Sequence, residues 1–167
     1  EAEKEMSWLT LSQLPELFRA CEQYGKENLT MIVKVCLATG ARWGEAERLT
    51  RPQLSPCKLT FTKTKGKKNR TVPIPKWLYD ELSERQGRMF KPCYQDFKKM
   101  LKLTNIELTE GQKTHVLRHT FGAHFMMNGG NILVLQKILG HANIRETMKY
   151  AHFAPDHLEQ AVTLNPL

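Results

Sequence analysis

The 167 residues carry 25 Lys and Arg against 17 Asp and Glu, a formal charge of +8, with 41% hydrophobic residues. A chain of this length and balance is neither disordered nor fibrous and can fold as one domain without disulfides or metal. No apolar run approaches the roughly 20 residues that span a bilayer, and Glu1 to Glu5 are unlike a signal peptide, so a cytoplasmic compartment, no membrane partner and, from the charge, a polyanionic partner are expected.

Thr10 followed by Gln13 has the form of a capping box, and Leu14, Leu17, Phe18 and Cys21 recur at helical spacing up to Gly25. A second helix is predicted from Asn28 to Thr39, with Met31, Ile32, Val35 and Cys36 on one side and Gly40 as its C-terminal cap. A short third helix spans about Gly44 to Leu49. Pro52 and Pro56 then interrupt the chain before Leu59 to Thr64, which reads as a strand. Lys65 to Asn69 supply turn chemistry and Arg70 to Ile74 a returning strand, giving a basic hairpin.

Helical patterns follow at about Lys76 to Gln86, Tyr94 to Leu103, His115 to Met127, Ile132 to Leu139 and Ile144 to His152. Gly129, Gly130 and Gly140 separate the last three. The tail from Asp156 carries Leu158, Ala161, Val162 and Leu164 in a weakly amphipathic arrangement. The expected fold is mainly α with a small antiparallel hairpin or sheet, an α+β single domain over 1–167. Cys21, Cys36, Cys57 and Cys93 form no CxxC pair or zinc-type cluster and read as reduced packing residues; no metal and no cofactor is expected.

Chemistry concentrates in His115-Val116-Leu117-Arg118-His119, Leu139-Gly140-His141 and Tyr150. Residues three and four apart share a helix face, so His115, Arg118 and His119 can point into one cleft. Gly140 places His141 at a helix terminus, and Tyr150 falls on the last helix. Upstream, Arg42 follows the helix-ending Gly40, with Glu45 positioned to orient it. Two guanidiniums converging on one phosphate can hold two oxygens and stabilise a pentavalent transition state. Taken singly, each residue has a plainer reading: Arg42 as a salt bridge to Glu45, Lys65 as a solvated turn lysine, His115 and His119 as core histidines, Tyr150 as a half-buried aromatic.

Together, Arg42, Lys65, His115, Arg118, His141 and Tyr150 resemble the Arg, Lys, His-x-x-Arg, His, Tyr signature of the tyrosine recombinases. The phrases Ala38-Thr39-Gly40-Ala41-Arg42, Leu117-Arg118-His119-Thr120-Phe121 and Ile138-Leu139-Gly140-His141 are similar to those of integrases of temperate bacteriophages. The resemblance covers about residues 9–152. It implies the tyrosine recombinase catalytic-domain fold and a metal-independent DNA strand transferase. In such an enzyme Tyr150 attacks a phosphodiester to give a 3′-phosphotyrosine, His115 is the candidate base, and Arg42, Arg118 and His141 bind the non-bridging oxygens. Lys65 is then the acid for the leaving 5′-oxygen, and Glu45 and His119 are supporting residues.

Lys63, Lys67, Lys68 and Arg70 on the basic hairpin are expected DNA contacts. The implied partners are double-stranded attachment sites, further protomers as dimers or tetramers on DNA, and host or phage DNA-bending proteins. The resemblance also implies N-terminal DNA-binding domains that 1–167 lacks, so the chain reads as an excised catalytic domain whose tail, 153–167, packs on itself or exchanges between protomers. Gly122 departs from the alanine of many relatives, with no consequence attached to it. Type IB topoisomerase-like DNA relaxation and a non-catalytic DNA-binding regulator are the alternatives.

Overall fold

The computed structural model describes residues 6–62, 68–109, 111–113 and 115–167. Helix α1 (Gln13–Tyr24) starts after a turn in which the Gln13 side chain accepts the Thr10 amide at 2.9 Å. The Thr10 hydroxyl bonds Ser12 instead of a helix amide, so only half of the expected capping box forms and the helix begins at Gln13.

Helix α2 (Glu27–Thr39) is buried on almost every side, as its Leu29, Ile32, Val33 and Val35 show, and it packs against α6 (Val116–Met127) at the centre of the domain. Gly40 ends α2 in the left-handed conformation, φ 72°, donating its amide to the Cys36 carbonyl. A short α3 (Trp43–Glu47) follows.

The sheet has three antiparallel strands in the order β1 (Leu54–Ser55), β2 (Lys58–Phe61) and β3 (Arg70–Pro73). Its register sets Leu59 opposite Val72 and Phe61 opposite Arg70, and these four side chains face inward, as the two-residue period of a strand requires. Strand β1 was not anticipated: two residues between prolines are too short to show alternation.

Helices α4 (Lys76–Ser83) and α5 (Tyr94–Leu101) complete the main apolar core with Leu78, Leu82, Phe97 and Met100. Helix α7 (Ile132–Leu139) packs on β3 and on α8 (Ile144–Met148). A second, smaller cluster joins Met126, Leu135, Leu139 and Tyr150.

The helix expected over Ile144 to His152 stops at Met148; Tyr150 lies in a turn before the 3-10 segment Ala151–Phe153. The tail ends in α9 (Gln160–Leu164), and Leu158, Val162 and Leu164 stay largely exposed. All four cysteines are free. Among the described residues no helix is long and apolar enough to cross a membrane.

Candidate active site

Arg118, on the first turns of α6, is 4% exposed. Its Nη1 donates to the Gly40 carbonyl at 2.8 Å and its Nη2 to the Leu139 carbonyl at 2.7 Å. Both acceptors are the ends of helices, whose last carbonyls lack intrahelical partners and carry the negative end of the helix dipole. One buried cation therefore joins the ends of α2 and α7. Gly40 permits this closeness: a Cβ there would lie 2.6 Å from Leu139 Cδ2 and 2.7 Å from Phe121 Cδ1. Burial, then the nearby charge of Arg42, pushes the Arg118 guanidinium down to about 10, still cationic at neutral pH.

His141 follows Gly140, which ends α7 at φ 74°. Its Nε2 lies 3.1 Å from Arg118 Nη2 and its Nδ1 2.8 Å from Thr147 Oγ1. An arginine nitrogen only donates, so Nε2 is the acceptor, and the neutral ring carries its proton on Nδ1 and donates it to Thr147.

Arg42 is the N-cap residue of α3, with its side chain 44% exposed and Nη1 3.6 Å from Glu45 Oε1. Its amide donates to the same oxygen at 3.0 Å. Arg42 and His141 line one cleft of about 810 Å³, together with Lys68, Gln136, Lys137 and Glu146. The two arginines thus reach the same region: Arg118 touches His141 from below, while Arg42 stands exposed on the wall.

Glu45 does more than orient Arg42. Arg70 donates Nη1 to Oε2 at 2.6 Å and Nη2 to Oε1 at 3.0 Å, its Nε donates to the Ile138 carbonyl at 2.8 Å, and its guanidinium stacks 4.8 Å from the Phe61 ring centroid. Burial pushes the Glu45 carboxyl up, but the Arg70 hydrogen bonds and charge, with the Arg42 amide and guanidinium, outweigh it and hold it at about 2. Arg70 was expected to contact DNA. It lines the cleft but is 8% exposed through the inward register of β3 and commits Nε, Nη1 and Nη2 to Ile138 and Glu45, so its guanidinium braces the cleft wall.

Tyr150 is fully buried. Its hydroxyl lies 2.8 Å from His119 Nδ1, and its ring covers Gly122, where a Cβ would fall 2.7 to 2.8 Å from Cε1, Cδ1 and Cζ. Burial pushes the phenol up to about 12, against the pull of Arg118 and Arg42. Burial, with the charges of Lys149, His115 and Arg118, pushes His119 down to about 3. Both partners are thus neutral, and the His119 tautomer sets whether the phenol or the Nδ1–H donates. Held this far below its ordinary value, His119 is a weak base, and the proton stays on the phenol in this arrangement.

His115, expected as the base, is the N-cap residue of α6, exposed, with its ring 5.8 Å from that of His119. Burial of part of the ring, then Lys149, Arg118 and Arg42, lowers its pKa. Lys149 itself was missed by the sequence reading. Its Nζ lies 5.3 Å from the Tyr150 ring centroid, and desolvation, then Arg118, pushes its pKa down. Adjacency to Tyr150 was the one available signal. Thr147, the partner of His141, was also missed. Lys63, Lys65 and Lys67 lie outside the described residues; Lys68 is exposed on the cleft. Among the described residues, no group of three His, Cys, Asp or Glu side chains could hold a metal ion.

The fold is that of tyrosine recombinase catalytic domains. It superposes on the catalytic domain of bacteriophage HP1 integrase with a TM-score of 0.93 at 55% identity, covering 98% of this chain and 97% of that one. It also shares the fold of XerA recombinase, with a TM-score of 0.74 at 23% identity over 98% of this chain and 67% of that one. Residues 7–157 match the phage integrase family, and the chain belongs to that family. It is 59% identical over 166 residues to the integrase of Escherichia phage 186, covering 99% of this chain and 49% of that protein. It is 56% identical over 167 residues to the integrase of Haemophilus phage HP1 (strain HP1c1), covering 100% of this chain and 50% of that protein. The chain thus spans about half the length of these relatives.

Proposed function

We propose that this chain is the catalytic domain of a site-specific DNA recombinase that integrates and excises a phage genome through a 3′-phosphotyrosine. The observation that carries the reading is the Arg118–His141 pair, fixed between two helix ends, with His141 and Arg42 lining one cleft. Three of the five Arg118 N–H groups hold Gly40, Leu139 and His141, which leaves the guanidinium donors for a non-bridging phosphate oxygen. Arg42 supplies a second fork, and His141 stands beside Arg118 on the cleft as the third member of the phosphate site.

In the reaction the Tyr150 oxygen forms a bond to phosphorus and the bond from phosphorus to the 5′-oxygen breaks. The phenol proton passes to a base, for which His115 is the candidate, and Lys65 supplies the proton to the departing oxygen. Glu45 and His119 position their neighbours, and Lys63, Lys67 and Lys68 are assigned to contacts with the DNA backbone. Partners are attachment-site duplexes, further protomers as dimers or tetramers, and DNA-bending proteins, in the cytoplasm of a bacterial host. Solved relatives with this fold include XerH bound to its difH substrate and the Tn1549 integrase with circular intermediate DNA.

The domain comprises 1–167, and the exposed apolar tail after Phe153 is an arm for exchange between protomers. Equal sedimentation of the full chain and a chain ending at Phe153 would argue against that arm. The activity is tested with a nicked duplex whose short downstream fragment, bearing the new 5′-hydroxyl, escapes after cleavage. The wild-type chain is expected to give a denaturant-resistant protein–DNA adduct and Tyr150→Phe none; no adduct from either leaves only a DNA-binding role.

A further inference from the structure

Tyr150 is fully buried, so its hydroxyl cannot touch a phosphate where it now lies. Two features unrelated in sequence hold it there. The ring occupies a slot that exists because residue 122 has no side chain, and the hydroxyl is tied to His119 Nδ1 at 2.8 Å. We propose that His119 and Gly122 are positioning residues forming a socket that keeps the nucleophile out of reach until DNA binds. This rests on Tyr150 being the nucleophile.

The segment bearing Tyr150 is a turn between α8 and the 3-10 segment Ala151–Phe153. Its backbone bonds are local, from the Tyr150 amide to the Thr147 carbonyl and from the Phe153 amide to the Tyr150 carbonyl, so it can swing without unwinding a long helix. Thr147 also holds His141 through its hydroxyl, which ties that turn to a residue facing the phosphate. Charged and titratable groups around the socket are Lys149, His115 and Arg118, with Arg42 also acting on the phenol. Arg118 and Arg42 favour the phenolate, and burial of the ring outweighs them.

Tetranitromethane, which nitrates accessible tyrosines, followed by peptide mapping reads the socket without DNA, and single-turnover adduct formation on the nicked duplex reads its consequence. In the wild-type chain Tyr150 is expected to nitrate at least tenfold more slowly than in denaturant. Gly122→Ala, which fills the slot, and His119→Leu, which removes the hydrogen-bond partner, are each expected to raise Tyr150 nitration, the latter roughly tenfold, the worth of one hydrogen bond. Both should change the single-turnover rate without changing DNA affinity, while Tyr94 nitration stays constant. His119→Gln, which keeps a hydrogen-bond partner, should restore most of the protection. If Gly122→Ala does not fold, the two His119 variants decide. Fast Tyr150 nitration in the wild type, or protection unchanged in folded variants, overturns the socket. A protected Tyr150 in a chain that forms no adduct keeps the socket and removes the proposed reaction.

Discussion

Glu45 and Arg70, twenty-five residues apart, form a two-pronged ion pair with oxygen to nitrogen distances of 2.6 and 3.0 Å, both side chains nearly buried. The pair fastens α3 to β3 directly behind Arg42. Removing one partner strands the other charge in a dry place, so Glu45→Ala is expected to destabilise by roughly 3–5 kcal/mol. Replacing both residues together should cost less than the two single changes combined. Urea unfolding of the three variants checks this; strictly additive losses would mean that the pair is not coupled.

Acid should weaken the domain in two stages. His119 sits at about 3 when folded against about 6.5 in the unfolded chain, so between those values only the unfolded state takes the proton. Its contribution is complete above pH 6.5 and is lost as pH falls, on the order of 4 kcal/mol by pH 3. Glu45, at about 2 when folded against about 4.5, adds a second loss that begins below pH 4.5. Urea midpoints from pH 7 to 5 should fall less steeply in His119→Gln than in the wild type. Equal slopes would show that His119 is not held neutral.

Arg118→Lys keeps the charge but cannot bridge two carbonyls in different directions. The change is expected to lower adduct formation by about 100-fold or more and to lower stability as well, because Gly40 or Leu139 loses its donor. Stopped single-turnover cleavage and thermal unfolding measure the two effects, and a rate within threefold of wild type would contradict the assignment.

Thr147→Val removes the acceptor of the His141 Nδ1 proton while keeping the shape. A loss of about 1–3 kcal/mol in stability is expected, with roughly tenfold slower adduct formation and unchanged DNA affinity. Nitrogen-15 spectra of the imidazoles should find the proton of wild-type His141 on Nδ1; a proton on Nε2 in the DNA-free chain would refute the pairing with Arg118.

Much of this site was legible because its signals are local. His115, Arg118 and His119 repeat at helical spacing, and Gly40 and Gly140 mark helix ends in the sequence as they do in the structure. Long-range partners carried no such mark. Arg70 reads as one more cation of a basic hairpin until the register of β3 turns it inward onto Glu45. Gly122 reads as a neutral departure until the Tyr150 ring lies across it, and nothing within Ile144 to His152 announces that the helix stops at Met148. These misses share a cause: each depends on a partner more than twenty residues away, or on an end set by packing.

The central claim is that the phenol of Tyr150 becomes bonded to DNA. Adduct formed on a nicked duplex, digested with protease and nuclease, can be mapped by mass spectrometry. The modified residue should be Tyr150, carrying the nucleotide through its 3′-phosphate. A nucleotide on Tyr24, Tyr79 or Tyr94, or a linkage through the 5′-phosphate, would contradict the account.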